Sequence, residues 1–161
     1  MNGLKPAAAA AALSMKGLPM TTPMEMHLLT AAKDKGMSIH YLEEGAFQLD
    51  LLNKIMDAKM LVEMLENPDQ GDPMELLAAY RSGDEAQLEK LMLAPDAFGK
   101  DDPEEKMELM IYQRNANWIP GIEKLLADKG AFIAVGAAHL VGERSVVDLL
   151  RKKGYTVTQV K

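Results

Sequence analysis

Apolar residues recur every three or four positions from Phe47 to Leu65, through Leu51, Leu52, Ile55, Met56, Met60 and Met64, and this spacing predicts one long amphipathic helix. Asn67-Pro68-Asp69-Gln70-Gly71 stops it. Four further helix starts share one grammar: Thr22-Pro23-Met24-Glu25, Asp72-Pro73-Met74-Glu75, Asp84-Glu85-Ala86-Gln87, and Asp102-Pro103 with Glu105. Each puts a capping oxygen ahead of the first turn and a carboxylate or amide inside it, which serves the orphan N–H groups there. The helices they open are expected to end near Gly36, at Ser82-Gly83, at Ala94-Pro95 and at Arg114. Asn117-Trp118-Ile119-Pro120 restarts or kinks the last of them, since proline suits only a first turn.

Three segments carry a different pattern. Met37 to Glu43 mixes β-branched and aromatic residues between Gly36 and Gly45, Ala131 to Val135 is a short apolar run after Gly130, and Tyr155 to Val160 alternates after Gly154. All three read as strands. Gly142 to Lys153, lying between the last two, reads as a helix with Val146, Val147, Leu149 and Leu150 inward and Gly154 as its cap. A strand, helix and strand in that order make a right-handed crossover joining parallel strands. The expected fold is therefore a helix-rich α/β domain with a small, mainly parallel sheet of about three strands covered by helices. Open edges on so small a sheet invite a second copy, so a homodimer is expected.

With 161 residues and 48% apolar content the chain has enough material for one domain with a core. A net charge of −6 argues against a broad phosphate-binding surface, so nucleic acid is not an expected partner. No run approaches the roughly 20 apolar residues of a membrane span. The start, MNGLKPAAAAAALSMKGLPM, has the outline of a weak signal peptide, but Pro6 ahead of the alanines reads better as the opening of a surface helix. It is no convincing leader, and the compartment stays open. The thirteen methionines fall mainly at apolar helix positions, where Met is an adaptable filler.

The absence of cysteine restricts any metal site to imidazole and carboxylate ligands. Ligands of open parallel sheets gather at the carboxyl ends of the strands. Glu43 closes the first expected strand and Gly136-Ala137-Ala138-His139 follows the second, so the two side chains are expected on one edge. Such a pair suits a divalent ion such as zinc, manganese or cobalt, and His40, three residues before Glu43, is a reserve ligand. Each of these residues also has an ordinary reading. His139 fits a hydrogen-bonded loop histidine, Glu43 a solvated carboxylate beside Glu44, Arg114 a cation closing a helix, and Trp118 a packing residue.

Four landmarks in order add to that reading. Ala134-Val135-Gly136-Ala137-Ala138-His139-Leu140-Val141-Gly142 with Leu149-Leu150-Arg151-Lys152-Lys153-Gly154-Tyr155-Thr156-Val157 is one; Arg114-Asn115 ahead of Ile119 to Leu126 is the second. Leu42-Glu43 with Gln48, and Leu4-Lys5-Pro6, are the others, and Glu25 stands where an aspartate is usual. Together they resemble the later part of the TraB/GumN family, which includes the Tiki-like metalloproteases and is related more distantly to erythromycin esterases and a haem-binding branch. The family pattern also has an earlier portion with a first Gly-x-x-His, which has no counterpart here, so residues 1–161 are expected to form a single truncated domain of this type.

The resemblance implies a metal-dependent hydrolase of ester, phosphoester or peptide bonds, acting on a small molecule or a peptide. His139 would ligate the ion, Glu43 would ligate it or act as general base on bound water, and Arg114 would stabilise negative charge developing on the substrate. A symmetric partner would complete the ligand set. Two alternatives stay open: a metal-independent esterase in which His139 is the base paired with Glu43, and a non-catalytic remnant that binds haem or a partner protein.

Overall fold

The structure, a computed structural model, describes residues 5–14, 22–66, 73–95, 97–128 and 130–160. The described chain is helical: α1 (Pro6–Ser14), α2 (Met24–Asp34), α3 (Gly45–Ile55), α4 (Ala58–Glu66), α5 (Pro73–Ser82), α6 (Glu85–Met92), α7 (Pro103–Met107), α8 (Gln113–Asp128) and α9 (Val146–Lys152). A π-helical turn, Glu108–Tyr112, fuses α7 to α8, and a 3-10 turn, Ala137–His139, lies ahead of α9. The stop at Asn67 to Gly71 and the cap at Asp72 lie outside the described residues.

Most helix starts fall where the sequence puts them, and their caps can be inspected one by one. Asp84 accepts the Gln87 N–H at 3.0 Å, and Ser145 Oγ accepts the Asp148 N–H at 3.1 Å. Pro23 and Asp102 flank α2 and α7 without a side-chain cap, so proline alone sets those starts. At the far end of α9, Gly154 takes φ +94° and the Tyr155 N–H returns to the Leu150 carbonyl at 3.1 Å, the geometry that satisfies a last-turn acceptor. The long helix expected from Phe47 to Leu65 is two helices. Asp57 divides them, its Oδ1 accepting the Met60 N–H at 2.8 Å as the cap of α4.

The expected sheet is not there: among the described residues no strand forms, and the α/β assignment is corrected to an all-helical fold with extended connections. The segments 37–43, 131–136 and 155–160 form no backbone ladder with one another or with any other described segment. The apolar residues that marked them do report a buried face, since Leu42, Ile133, Val135 and Val157 pack on the core of Trp118, Ile119, Ile122, Val146 and Leu150. A ladder needs in addition a free backbone edge beside each strand. Side chains take some of those places instead. The Arg151 guanidinium donates to the Val157 carbonyl at 2.9 Å, and Gln159 Nε2 donates to the Gly83 carbonyl at 2.8 Å.

Two smaller clusters complete the interior. Leu51, Ile55 and Met60 gather Phe98, Leu109 and Met110, while Ala79, Leu88 and Val141 gather Leu76, Leu91 and Met92. The run from α7 through the π turn to α8 borders both the first of these and the Trp118 core, and that position sets the site. No helix among the described residues is long and apolar enough to cross a membrane.

Candidate functional site

Residues 114, 115, 118, 119 and 122 follow helical spacing on α8, which brings Arg114, Asn115 and Trp118 to one inward-facing stretch. Asn115 and Ile122 have no exposed surface and Trp118 is 5% exposed. The π turn delivers this stretch. Its i to i+5 bond, from the Gln113 N–H to the Glu108 carbonyl, widens the helix by one residue immediately before Arg114. The Met110 carbonyl then accepts from Arg114 Nη1 at 2.7 Å.

Glu43, in the bend that leads into α3, meets Arg114 in a two-pronged ion pair: Nη2 to Oε1 at 2.7 Å and Nε to Oε2 at 3.1 Å. Gln48 Nε2 adds a bond to Oε1 at 2.6 Å and the Trp118 indole N–H one to Oε2 at 3.1 Å. Both charged side chains are 11% exposed. Burial by itself would raise the Glu43 carboxyl, but the bonds from Arg114 and Gln48, the Arg114 charge and the Trp118 bond outweigh it and hold the pKa below the ordinary carboxylate value.

His139 enters from the other side. The 3-10 turn that carries it is closed by its own N–H on the Gly136 carbonyl at 2.9 Å. Gly136 itself has an ordinary φ of −60°, so the turn does not demand a glycine there. The imidazole is 7% exposed, faces the Trp118 ring at 4.6 Å between centroids, and has its Nδ1 2.7 Å from Asn115 Oδ1. Burial, reinforced by the nearby Arg114 charge and only partly opposed by Glu43, pushes its pKa down to about 4. The ring is neutral at pH 7.

The structure therefore brings Glu43, Arg114 and His139 together around Trp118, whose ring also lies 5.0 Å below the Arg114 guanidinium carbon. It does not bring in His40, which is exposed on the segment before Glu43 and shares no hydrogen bond with the group. His27 is likewise exposed on α2. Trp118, read from sequence as packing, is the hub. The signal for it was the Arg-Asn-x-x-Trp spacing, which sets 114 and 118 one helical turn apart on one face.

A metal fits this arrangement only in part. A carboxylate has about four lone-pair sites, and the four donors on Glu43 occupy them. Among the described residues no three of His, Asp and Glu gather as a ligand set. Within this cluster the His139 ring is the open donor for an ion, which falls short of the three that a catalytic metal takes.

Residues 1–159 match the model of the TraB/PrgY/gumN family. The chain belongs to that family. Among curated relatives it resembles a metalloprotease TIKI homolog of Amphimedon queenslandica, at 41% identity over 54 residues, or 32% of this chain and 11% of that protein. Metalloprotease TIKI1 of Homo sapiens is 43% identical over 51 residues, 30% of this chain and 10% of that protein. The Nematostella vectensis TIKI homolog is 38% identical over 55 residues, 32% of this chain and 12% of that protein. The stretch shared with these TraB/PrgY/gumN relatives is thus about a tenth of their length, and no solved structure matches.

Proposed function

We propose that the chain contributes to the site of a metal-dependent hydrolase, with peptide bonds as the first substrate class and ester and phosphoester bonds as the others open to the same chemistry. The observation that carries the reading is the meeting of Glu43, Arg114 and His139 on Trp118, three functional side chains from distant parts of the sequence held in one buried cluster. The metalloprotease names of the relatives support the same class. His139 is the ligand in this reading, since a ring neutral at pH 7 has no proton for an ion to displace. Its low proton affinity makes it a poor general base at neutral pH, where the best base has a pKa near the working pH, and this weighs against the metal-independent esterase.

Glu43 acts here as the anchor of Arg114 and not as the base. Three of the five guanidinium N–H groups are spent on Glu43 and the Met110 carbonyl, which leaves two for an oxygen gaining charge. A second copy supplies the ligands that the described residues of one chain do not gather. Metal analysis joined to a size-exclusion mass measurement tests the whole reading. A dimer with bound metal, emptied by His139→Ala, is the expected result; metal-free protein whose hydrolytic activity ignores both chelator and His139→Ala overturns it.

A further inference from the structure

Asn115 is fully buried at the centre of a set of contacts that the hydrolase reading leaves unused. Its Nδ2 donates to the Arg144 carbonyl oxygen at 2.9 Å. A carbonyl only accepts, so the amide nitrogen has to face Arg144 and the amide oxygen has to face away. What it faces, at 2.7 Å, is Nδ1 of His139. That oxygen also only accepts, so the hydrogen between them belongs to the imidazole. On a neutral ring with its proton on Nδ1, the free lone pair is on Nε2.

The Arg144 carbonyl is in turn aimed by an unusual backbone. Arg144 has φ +59°, a left-handed conformation that costs a residue with a side chain about 1–3 kcal/mol and lasts only where its surroundings enforce it. Here they do so three times over. Its N–H donates to Asp148 Oδ2 at 2.8 Å, and its guanidinium forks onto Glu108 of the π turn at 2.6 and 2.7 Å. The same guanidinium lies 4.4 Å over the Tyr112 ring.

We infer that Asn115 is the positioning residue of His139: pinned by the Arg144 carbonyl, it fixes the Nδ1–H tautomer and turns Nε2 into the nitrogen available to a ligand. This rests on the hydrolase reading only for what Nε2 does. The tautomer follows from the hydrogen-bond directions alone, in the way that an outer partner commonly sets which imidazole nitrogen is open.

The test is a long-range proton–nitrogen correlation spectrum of 15N-histidine-labelled full-length protein, freed of metal by chelator, at pH 8. The three imidazoles are separated by His27→Gln and His40→Gln, both at exposed positions. His139 is expected with its proton on Nδ1; a wild-type ring protonated on Nε2 overturns the inference. Asn115→Asp keeps the acceptor and is expected to keep the Nδ1 proton, whereas Asn115→Leu removes it and is expected to move the proton to Nε2. Loss of the Nδ1 proton in the aspartate variant, or its retention in a folded leucine variant, counts against the role. Where the leucine variant does not fold, the wild-type and aspartate spectra decide. An Nδ1–H ring in a protein without metal or turnover leaves this inference standing and removes the hydrolase reading; the opposite tautomer in an active metalloenzyme removes only this inference.

Discussion

Trp118 and His139 face each other with ring centroids 4.6 Å apart and planes inclined by 51°, while the indole N–H donates to Glu43. One residue thus joins the imidazole to the ion pair by two different means, an aromatic contact and a hydrogen bond. Trp118→Phe keeps the first and loses the second, and should cost about 1.5–3 kcal/mol, the net worth of a hydrogen bond to a charged group. Trp118→Ala loses both and opens a cavity, at about 3–5 kcal/mol. Urea unfolding of the pair measures the split: a Phe variant as stable as the wild type would show that the indole nitrogen contributes nothing, and equal losses in the two variants that the ring contributes nothing beyond it.

The ion pair beneath it should behave as a unit. Arg114→Met leaves Glu43 charged and largely buried, a loss of about 3–5 kcal/mol. Glu43→Leu alone should cost a similar amount, but the double variant Glu43→Leu with Arg114→Met should cost much less than the sum, because no charge is stranded. Chemical denaturation of the cycle reads the coupling directly. Additive losses would mean the two side chains are independent.

His139 predicts a pH window for stability. In the unfolded chain the imidazole takes a proton near pH 6.5, whereas the folded ring, buried and beside Arg114, refuses it until about pH 4. Metal-free protein should therefore hold its full stability above pH 6.5 and lose about 3 kcal/mol as pH falls through that interval. Below about pH 4 this contribution stops changing. Guanidinium melts at successive pH values should show the slope in the wild type and lose it in His139→Gln.

Gly142 offers a backbone prediction. Its φ of +76° disfavours any side chain, and a Cβ built there meets Glu89 Oε1 at 2.7 Å. Gly142→Ala should destabilise the protein by about 1–2 kcal/mol from the backbone conformation. Pairing it with Glu89→Ala, which clears the contact, should recover only the steric part. A thermal melt of each separates the two.

How far these features could be read from sequence differs by kind. Helix starts are local chemistry, and Pro23, Pro73, Asp84 and Pro103 mark them within a residue or two of where they occur. The break at Asp57 was hidden because Leu51, Ile55 and Met60 keep facing one core across it, so the apolar spacing never falters. The sheet failed for the opposite reason: apolar residues such as Ile133 and Val135 report which face is covered and say nothing of what lies beside the backbone. Within the site, Glu43, Arg114 and His139 carried recognisable chemistry. Gln48 stands five positions from Glu43 and was visible beside it, whereas the parts played by Asn115 and Trp118 depend on contacts 24 and 75 positions away along the chain, and only the folded chain reveals such pairings.

The π turn at Glu108–Tyr112 works as a phase shifter between two faces of one rod. Its first residue, Glu108, reaches toward Arg144, and behind the turn Arg114 reaches toward Glu43. Excising one residue from this turn would leave a helix with a better-formed ladder, yet it would swing everything downstream by about 100°, one residue's share of a 3.6-residue turn. The rod would gain regularity, and Arg114 and Asn115 would point away from the partners they now hold.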